Sequence, residues 1–331
     1  MNSLAEIVSQ TQAADFAAAA QRIAPHVIES PLLPFHGEAP RTVRLKAENL
    51  QQLGSFKLRA AFNTLLHAAE TRPLSNVATA SAGNFAQGLA LASARLGARL
   101  TVHLPDTAAQ VKRDSLASLG ATTVVHPFND WWQILMTRDT GADDGWFVHP
   151  VCEPDVIIGN GTIGGELLRQ WPELDTVVIP FGGGGLSSGI ALALRALGRK
   201  VRIIACEIET AAALQPALQA GHPVRIERQP SFIDGIGSNC VLDEMWPLLS
   251  TLIDDVLVVS LDETRAALRA LAVRNRVVVE GAGAVALAAA ISDRCPGRNV
   301  VAVLSGGNID RTVFSDILQD SAVTSAPRPR H

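Results

Sequence analysis

The 331-residue chain is 47% hydrophobic and 18% charged, with a formal net charge of −4 at neutral pH. That length buries a large core and suits two lobes better than one, and an acidic balance without a basic stripe argues against a nucleic-acid or membrane partner. No apolar run reaches the roughly 18 residues of a membrane span, and the N-terminus has no basic region and places Glu6 early, unlike a secretory signal.

Residues 1–12 read as poorly ordered. The first informative segment is Lys46-Ala47-Glu48-Asn49-Leu50-Gln51-Gln52-Leu53-Gly54-Ser55-Phe56-Lys57, which sets a single lysine behind a glycine turn at the start of a helix. Short β-rich runs then alternate with longer alanine- and leucine-rich ones. Strands are expected at 76–80, 100–104, 122–126, 146–149, 176–181, 201–207, 256–260 and 300–304, with helices such as 85–96, 108–119, 186–197, 263–275 and 280–291. This alternation predicts an α/β fold, with parallel sheets covered by helices on both faces and ligands held beyond the carboxyl ends of the strands. The tail 321–331 reads as a solvated end. Cys152, Cys206, Cys240 and Cys295 show neither CxxC pairing nor metal-ligand spacing, which suits free thiols in a reducing cytoplasm.

The second glycine segment, Val177 to Gly189, is an apolar strand running into Gly182, Gly183, Gly184 and Gly185 and then a helix. Such a turn aims backbone amides and the positive end of a helix at a phosphate. An amine plus a phosphate cradle is what holding pyridoxal phosphate as a Schiff base requires. Taken alone, the tetraglycine is also compatible with a degenerate dinucleotide turn, with Glu207 on a ribose hydroxyl, or with a purely structural turn; Ser187 and Ser188 stand where the dinucleotide motif needs its third glycine. Ser81-Ala82-Gly83-Asn84-Phe85 follows a strand and opens a helix, offering either a helix cap or a nest for a carboxylate. Leu304-Ser305-Gly306-Gly307-Asn308 closes the last strand.

Together these segments resemble the fold type II pyridoxal-phosphate enzymes, in particular threonine/serine dehydratases (ammonia-lyases) and serine racemases, over about residues 23–316. Gly159-Asn160-Gly161-Thr162-Ile163-Gly164, Asp234-Gly235-Ile236 and Glu280-Gly281-Ala282-Gly283-Ala284-Val285 add to the match. The resemblance implies a tryptophan synthase β-like, two-lobed architecture, with a small lobe of residues 48–148 inserted into a large lobe of 1–47 and 149–331. It implies Lys57 as the Schiff-base lysine and catalytic base, with Phe56 against the cofactor. Gly182, Gly183, Gly184, Gly185 and Leu186 would hold the phosphate, Asn84 the phenolic oxygen, and Ser305 would face the pyridine nitrogen. Ser81, Ala82, Gly83, Asn84 and Phe85 would receive the substrate carboxylate, and Ser238 would meet its β side. A hydroxyl opposite the ring nitrogen makes a weaker electron sink than a carboxylate would, which suits β-elimination better than transamination.

The chain departs from the family pattern in three places. Phe85 replaces a common histidine, Ala82 replaces the second serine of racemases, and Ala213 replaces an acidic metal ligand. Racemisation and a divalent-metal site are therefore not expected. The implied reaction is dehydration and deamination of a β-hydroxy amino acid to a 2-keto acid and ammonia, by a homodimer or homotetramer. β-Replacement on the same fold is the first alternative, with an amino-acid racemase behind it and a non-enzymatic NAD-type binder last; Phe85 and the Trp131-Trp132 pair suggest a substrate bulkier than threonine, or simply core aromatics.

Overall fold

The structure, a computed structural model, describes residues 3–143 and 145–319. Its strands are β1 (Leu32–Pro34), β2 (Thr42–Lys46), β3 (Asn76–Ala80), β4 (Arg99–Pro105), β5 (Thr122–His126), β6 (Trp146–Phe147), β7 (Thr176–Pro180), β8 (Arg202–Ile208), β9 (Asp255–Val259) and β10 (Asn299–Val303). They form a six-stranded sheet in the order β1-β2-β10-β7-β8-β9 and a four-stranded sheet in the order β5-β4-β3-β6. Every pairing is parallel except β1 with β2, as expected where helical crossovers join the strands.

Burial on both faces follows from the two-residue strand period. On the larger sheet Val177, Ile179, Ile203, Val301 and Val303 enter one apolar cluster, while Val178, Ile204, Val300 and Ala302 enter another. Val77, Leu100, Val102 and Leu104 of the smaller sheet join a third cluster, and Ala78, Ala80 and Phe147 a fourth. Trp131 and Trp132 pack against that fourth cluster, and Trp131 Nε1 donates to the His103 carbonyl at 3.0 Å. Neither lines the cleft described below, so they are core aromatics rather than a substrate wall.

Three features differ from the sequence reading. Residues 3–12 are ordered: Leu4–Ser9 is a helix with a capping box between Ser3 and Glu6, and Val8 is fully buried. β1 and β2 are strands beyond those expected, because Thr-Val-Arg-Leu-Lys hides its burial behind charged residues. The expected 263–275 helix begins at Leu261 and runs into a π turn over Leu271–Asn275. The tail 321–331 lies outside the described residues. No described helix is long and apolar enough to cross a membrane.

The helices at Pro154–Gln170 and Gly185–Ala196 pack unusually close. A Cβ on Gly189 would lie 2.3 Å from the Ile157 carbonyl, and one on Gly161 would lie 2.7 Å from the Gly189 carbonyl. Glycine at both positions is what allows this contact. The helix at Gly281–Ile291, sequence GAGAVALAAAI, is buried on every side from Gly281 to Ala290.

Beneath the start of the Lys57–Ala69 helix lies a buried charge cluster. Arg59 donates to both oxygens of Glu48 (2.8 and 2.8 Å), both oxygens of Glu166 (2.6 and 2.9 Å) and Thr162 Oγ1 (3.2 Å). Lys46 reaches Glu166 at 2.5 Å and the Ser30 carbonyl at 2.7 Å. Two cations balance two carboxylates, and this pairing is what makes a fully buried lysine on β2 tolerable.

Candidate active site

The carboxyl ends of β3, β7 and β10 converge on a cleft of about 300 Å³. Phe56, Lys57, Ser81, Gly83, Asn84, Phe85, Gly182, Gly183, Gly184, Gly185, Leu186, Ser238 and Ser305 all line it. Residues far apart in sequence are brought together because all but Ser238, which comes from the irregular stretch 222–245, sit in turns that follow a strand or open a helix. Ala82 does not line the cleft; it packs against the Leu58, Phe62 and Leu89 cluster. Glu207 is committed elsewhere, its carboxylate accepting from the Leu214 and Gln215 amides at 2.8 and 3.0 Å. It caps a helix and is not free to hold a ribose.

Lys57 opens its helix with the amine 5.1 Å from the Phe56 ring centroid and 5.6 Å from that of Phe85. Its Nζ donates to the Pro150 carbonyl at 3.4 Å. Burial lowers the amine to about 8, against an opposing pull from the Glu280 carboxylate. An amine so placed is unprotonated often enough near neutrality to act as nucleophile and base.

Glu280 carries no role in the sequence reading, although the motif containing it does. It is the residue that precedes the buried Gly281–Ile291 helix, with its carboxyl in the cleft rather than on the helix amides, and burial raises that carboxyl to about 7. Asn84 Nδ2 donates to its two oxygens at 3.2 and 3.3 Å, and Asn84 Oδ1 accepts from Asn308 Nδ2 at 2.9 Å. Asn84 is thereby held from both ends. Pro150, Val151 and Asp234 are further lining residues that only tertiary structure reveals; Asp234 is paired with Lys112 at 2.5 Å. Ser305 is buried, and its carbonyl accepts from the Phe56 amide at 3.1 Å, tying the end of β10 to the lysine turn.

The glycine cradle fits a phosphate. Gly184 has φ +91 and caps the Gly185–Ala196 helix, whose first amides have no intrahelical acceptor. A Cβ on Gly183 would come within 2.7 Å of Val151. Asn160, fully buried, leaves both side-chain polar atoms unpaired, with Nδ2 only 3.7 Å from where a Cβ on Gly185 would sit. A buried amide without a partner beside a turn of free N–H groups is the signature of an anion's place.

The model of the pyridoxal-phosphate dependent enzyme family matches residues 23–306. The chain belongs to that family. Its cofactor is pyridoxal 5′-phosphate, and the one cleft contains both an amine, Lys57, and a glycine turn that fits a phosphate. Among curated relatives, the chain is 36% identical over 288 residues to an L-threonine ammonia-lyase of Thermotoga maritima, covering 86% of this chain and 71% of that one. Among solved structures, the processed form of threonine deaminase isoform 2 from Solanum lycopersicum is 31% identical with a TM-score of 0.82, covering 94% of this chain and 92% of that one. Maize serine racemase has a TM-score of 0.84 at 29% identity, with 92% and 96% covered. These likenesses bear out the α/β, fold type II architecture with parallel-rich sheets read from the sequence.

Proposed function

We propose that this protein is an ammonia-lyase that eliminates water from a β-hydroxy amino acid, such as L-serine, L-threonine or a bulkier relative, and, once the resulting enamine has taken a water back in hydrolysis, yields a 2-keto acid and ammonia. The observation that carries the reading is the Lys57 amine, lowered to about 8, in one cleft with the glycine cradle and the neutral Ser305. The similarity to the threonine ammonia-lyase of Thermotoga maritima and the threonine deaminase of Solanum lycopersicum supports it.

Bound pyridoxal phosphate supplies the electron sink that makes the Cα–H bond of the amino acid acidic. Lys57 would hold the cofactor, and its free amine would take the Cα proton. Ser81 and the amides opening the Asn84–Leu96 helix hold the substrate carboxylate, with Phe85 closing the apolar side. Asn84, fixed by Glu280 and Asn308, orients the cofactor's phenolic oxygen. Ser305 would offer the cofactor's ring nitrogen a neutral partner, a setting that favours β-elimination over transamination. The hydroxyl departs with a proton as water, and the released enamine hydrolyses to keto acid and ammonia. Ser238, which lines the cleft and donates to the Cys240 carbonyl at 2.6 Å, would meet the substrate's β side. Since Ala82 lies off the cleft wall, that turn offers no second hydroxyl as an opposite-face base, which disfavours racemisation.

The reading takes residues 48–148 as the small lobe and the remainder as the large one. It takes the protein as a cytoplasmic homodimer or homotetramer.

Borohydride reduction of the cofactor-loaded protein should fix the label on Lys57, and a panel of β-hydroxy amino acids should release keto acid. Label on another lysine, or no keto acid from any of them, would overturn the reading.

A further inference from the structure

We propose that His149 is a positioning residue: its Nδ1 folds the 149–152 turn that carries the Pro150 carbonyl to the Lys57 amine and sets Val151 against the glycine cradle. The imidazole is buried, and its Nδ1 accepts from the Val151 amide at 3.1 Å and the Cys152 amide at 2.7 Å. A backbone N–H can only donate, so Nδ1 carries no proton and the ring is the neutral Nε2–H tautomer. Burial first, then the positive Arg138 and Lys57, push its pKa down to about 3, consistent with that tautomer. The turn is clamped from outside as well. Arg138 donates to the Cys152 carbonyl at 3.2 Å and pairs with Glu244 at 2.7 Å, while Glu153 Oε1 accepts from the His149 amide at 3.3 Å.

What the turn presents is functional on both sides. Pro150 gives Lys57 Nζ its acceptor at 3.4 Å. Val151 methyls stand 2.7 and 3.0 Å from where a Cβ on Gly183 would lie, and 3.6 Å from one on Gly185, so they back the cradle directly. The chemistry of the acceptor matters. An aspartate could accept the same amides, but its charge beside Lys57 would hold the amine protonated and spoil it as a base. A neutral ring nitrogen gives the turn its acceptor without that cost. His149 thus acts through Pro150 and Val151 and touches neither substrate nor cofactor.

The inference rests on reading Lys57 as the cofactor lysine, but its first test does not. In holoenzyme with ¹⁵N-labelled histidine, the His149 signal, identified by its loss in His149→Asn, should show an unprotonated Nδ1 and a protonated Nε2 from pH 8 to pH 5. A His149 ring protonated on Nδ1, or titrating near pH 6.5, overturns the proposal. The second test compares two variants by cofactor release from folded holoenzyme and by the pH dependence of the bound cofactor's absorbance. His149→Asn keeps a short neutral acceptor able to close an Asx-type turn and should stay within threefold of the parent, with an unmoved pH midpoint. His149→Leu has no acceptor and should release cofactor at least tenfold faster, with the midpoint displaced. Parent-like behaviour of His149→Leu, or a loss in His149→Asn equal to that in His149→Leu, overturns it. If His149→Leu does not fold, the ring tautomer and His149→Asn decide, with tenfold faster release from His149→Asn counting against the proposal.

Discussion

Removing the Arg59 guanidinium should cost far more than its distance from the reacting groups suggests. In Arg59→Met, Glu48 and Glu166 keep only the Lys46 ammonium between them, and all of these groups are buried. Two bidentate carboxylate contacts and a bond to Thr162 vanish together. Breaking a buried charge cluster from one side costs about 3–5 kcal/mol, because charge is left without a partner. At roughly 2–4 °C per kcal/mol for a large domain, the thermal midpoint should fall by about 6–20 °C. The cluster also supplies its own control. Adding Glu166→Gln to Arg59→Met leaves one anion, Glu48, facing one cation, Lys46. The double variant should recover about 1–3 kcal/mol relative to the sum of the single losses. Denaturant or thermal unfolding of all three variants under one condition measures this. A loss below about 1 kcal/mol for Arg59→Met, or strict additivity in the double variant, would refute the view that charge balance stabilises this junction.

Three further outcomes are expected. Gly184→Ala, which forces a side chain to φ +91 and toward Leu249 at 2.8 Å, should weaken cofactor retention by about 1–3 kcal/mol, while Gly182→Ala, with its nearest neighbour at 3.7 Å, should fit sterically; equilibrium dialysis of the cofactor compares them. Recapture of cofactor by protein stripped of it needs the unprotonated Lys57 amine, so its rate should rise with pH about a midpoint near 8, and Glu280→Gln, which removes the carboxylate that holds the proton on, should move that midpoint lower; an unmoved midpoint in a stopped-flow titration would separate the two groups. Ser305→Asp should hold the ring nitrogen protonated by a charge-assisted hydrogen bond, adding long-wavelength absorbance with substrate, slowing keto-acid release and raising transamination products. Unchanged spectra and product ratios would place Ser305 away from that nitrogen.

Much of this is legible in the chain because the chemistry sits in turns that glycine marks. Gly54-Ser55-Phe56-Lys57, Ser81 to Phe85, Gly182 to Gly185 and Ser305 can be read without a structure, and all these turns open on the same cleft. What escapes reading depends on burial, which local pattern does not encode. Lys46 and Arg44 make β2 look like a surface stretch, yet Lys46 is buried once Glu166 faces it from a distant helix. Glu280 looks like an ordinary helix-cap glutamate until the cleft closes around it, and His149 like any histidine before a proline until two amides turn onto its ring. The N-terminal helix is the opposite case: Ser3-Leu4-Ala5-Glu6 is a capping box readable from residue types alone, in a stretch whose position at the chain's end suggests disorder.

The alanine–glycine helix behind Glu280 makes the centre of the molecule unusually unforgiving. A rod with almost no side chains has little slack to absorb a bulkier neighbour, so pressure applied anywhere along it is relieved by sliding rather than by local repacking. Its leading end is the carboxyl that steadies Asn84. A methyl-to-isobutyl change at Ala288 or Ala289, two turns into the core and away from the cleft lining, would therefore be expected to disturb the Glu280–Asn84 contact at the helix's leading end. The packing behind the larger sheet and the geometry of the cleft thus share one element, the helix that begins at Glu280.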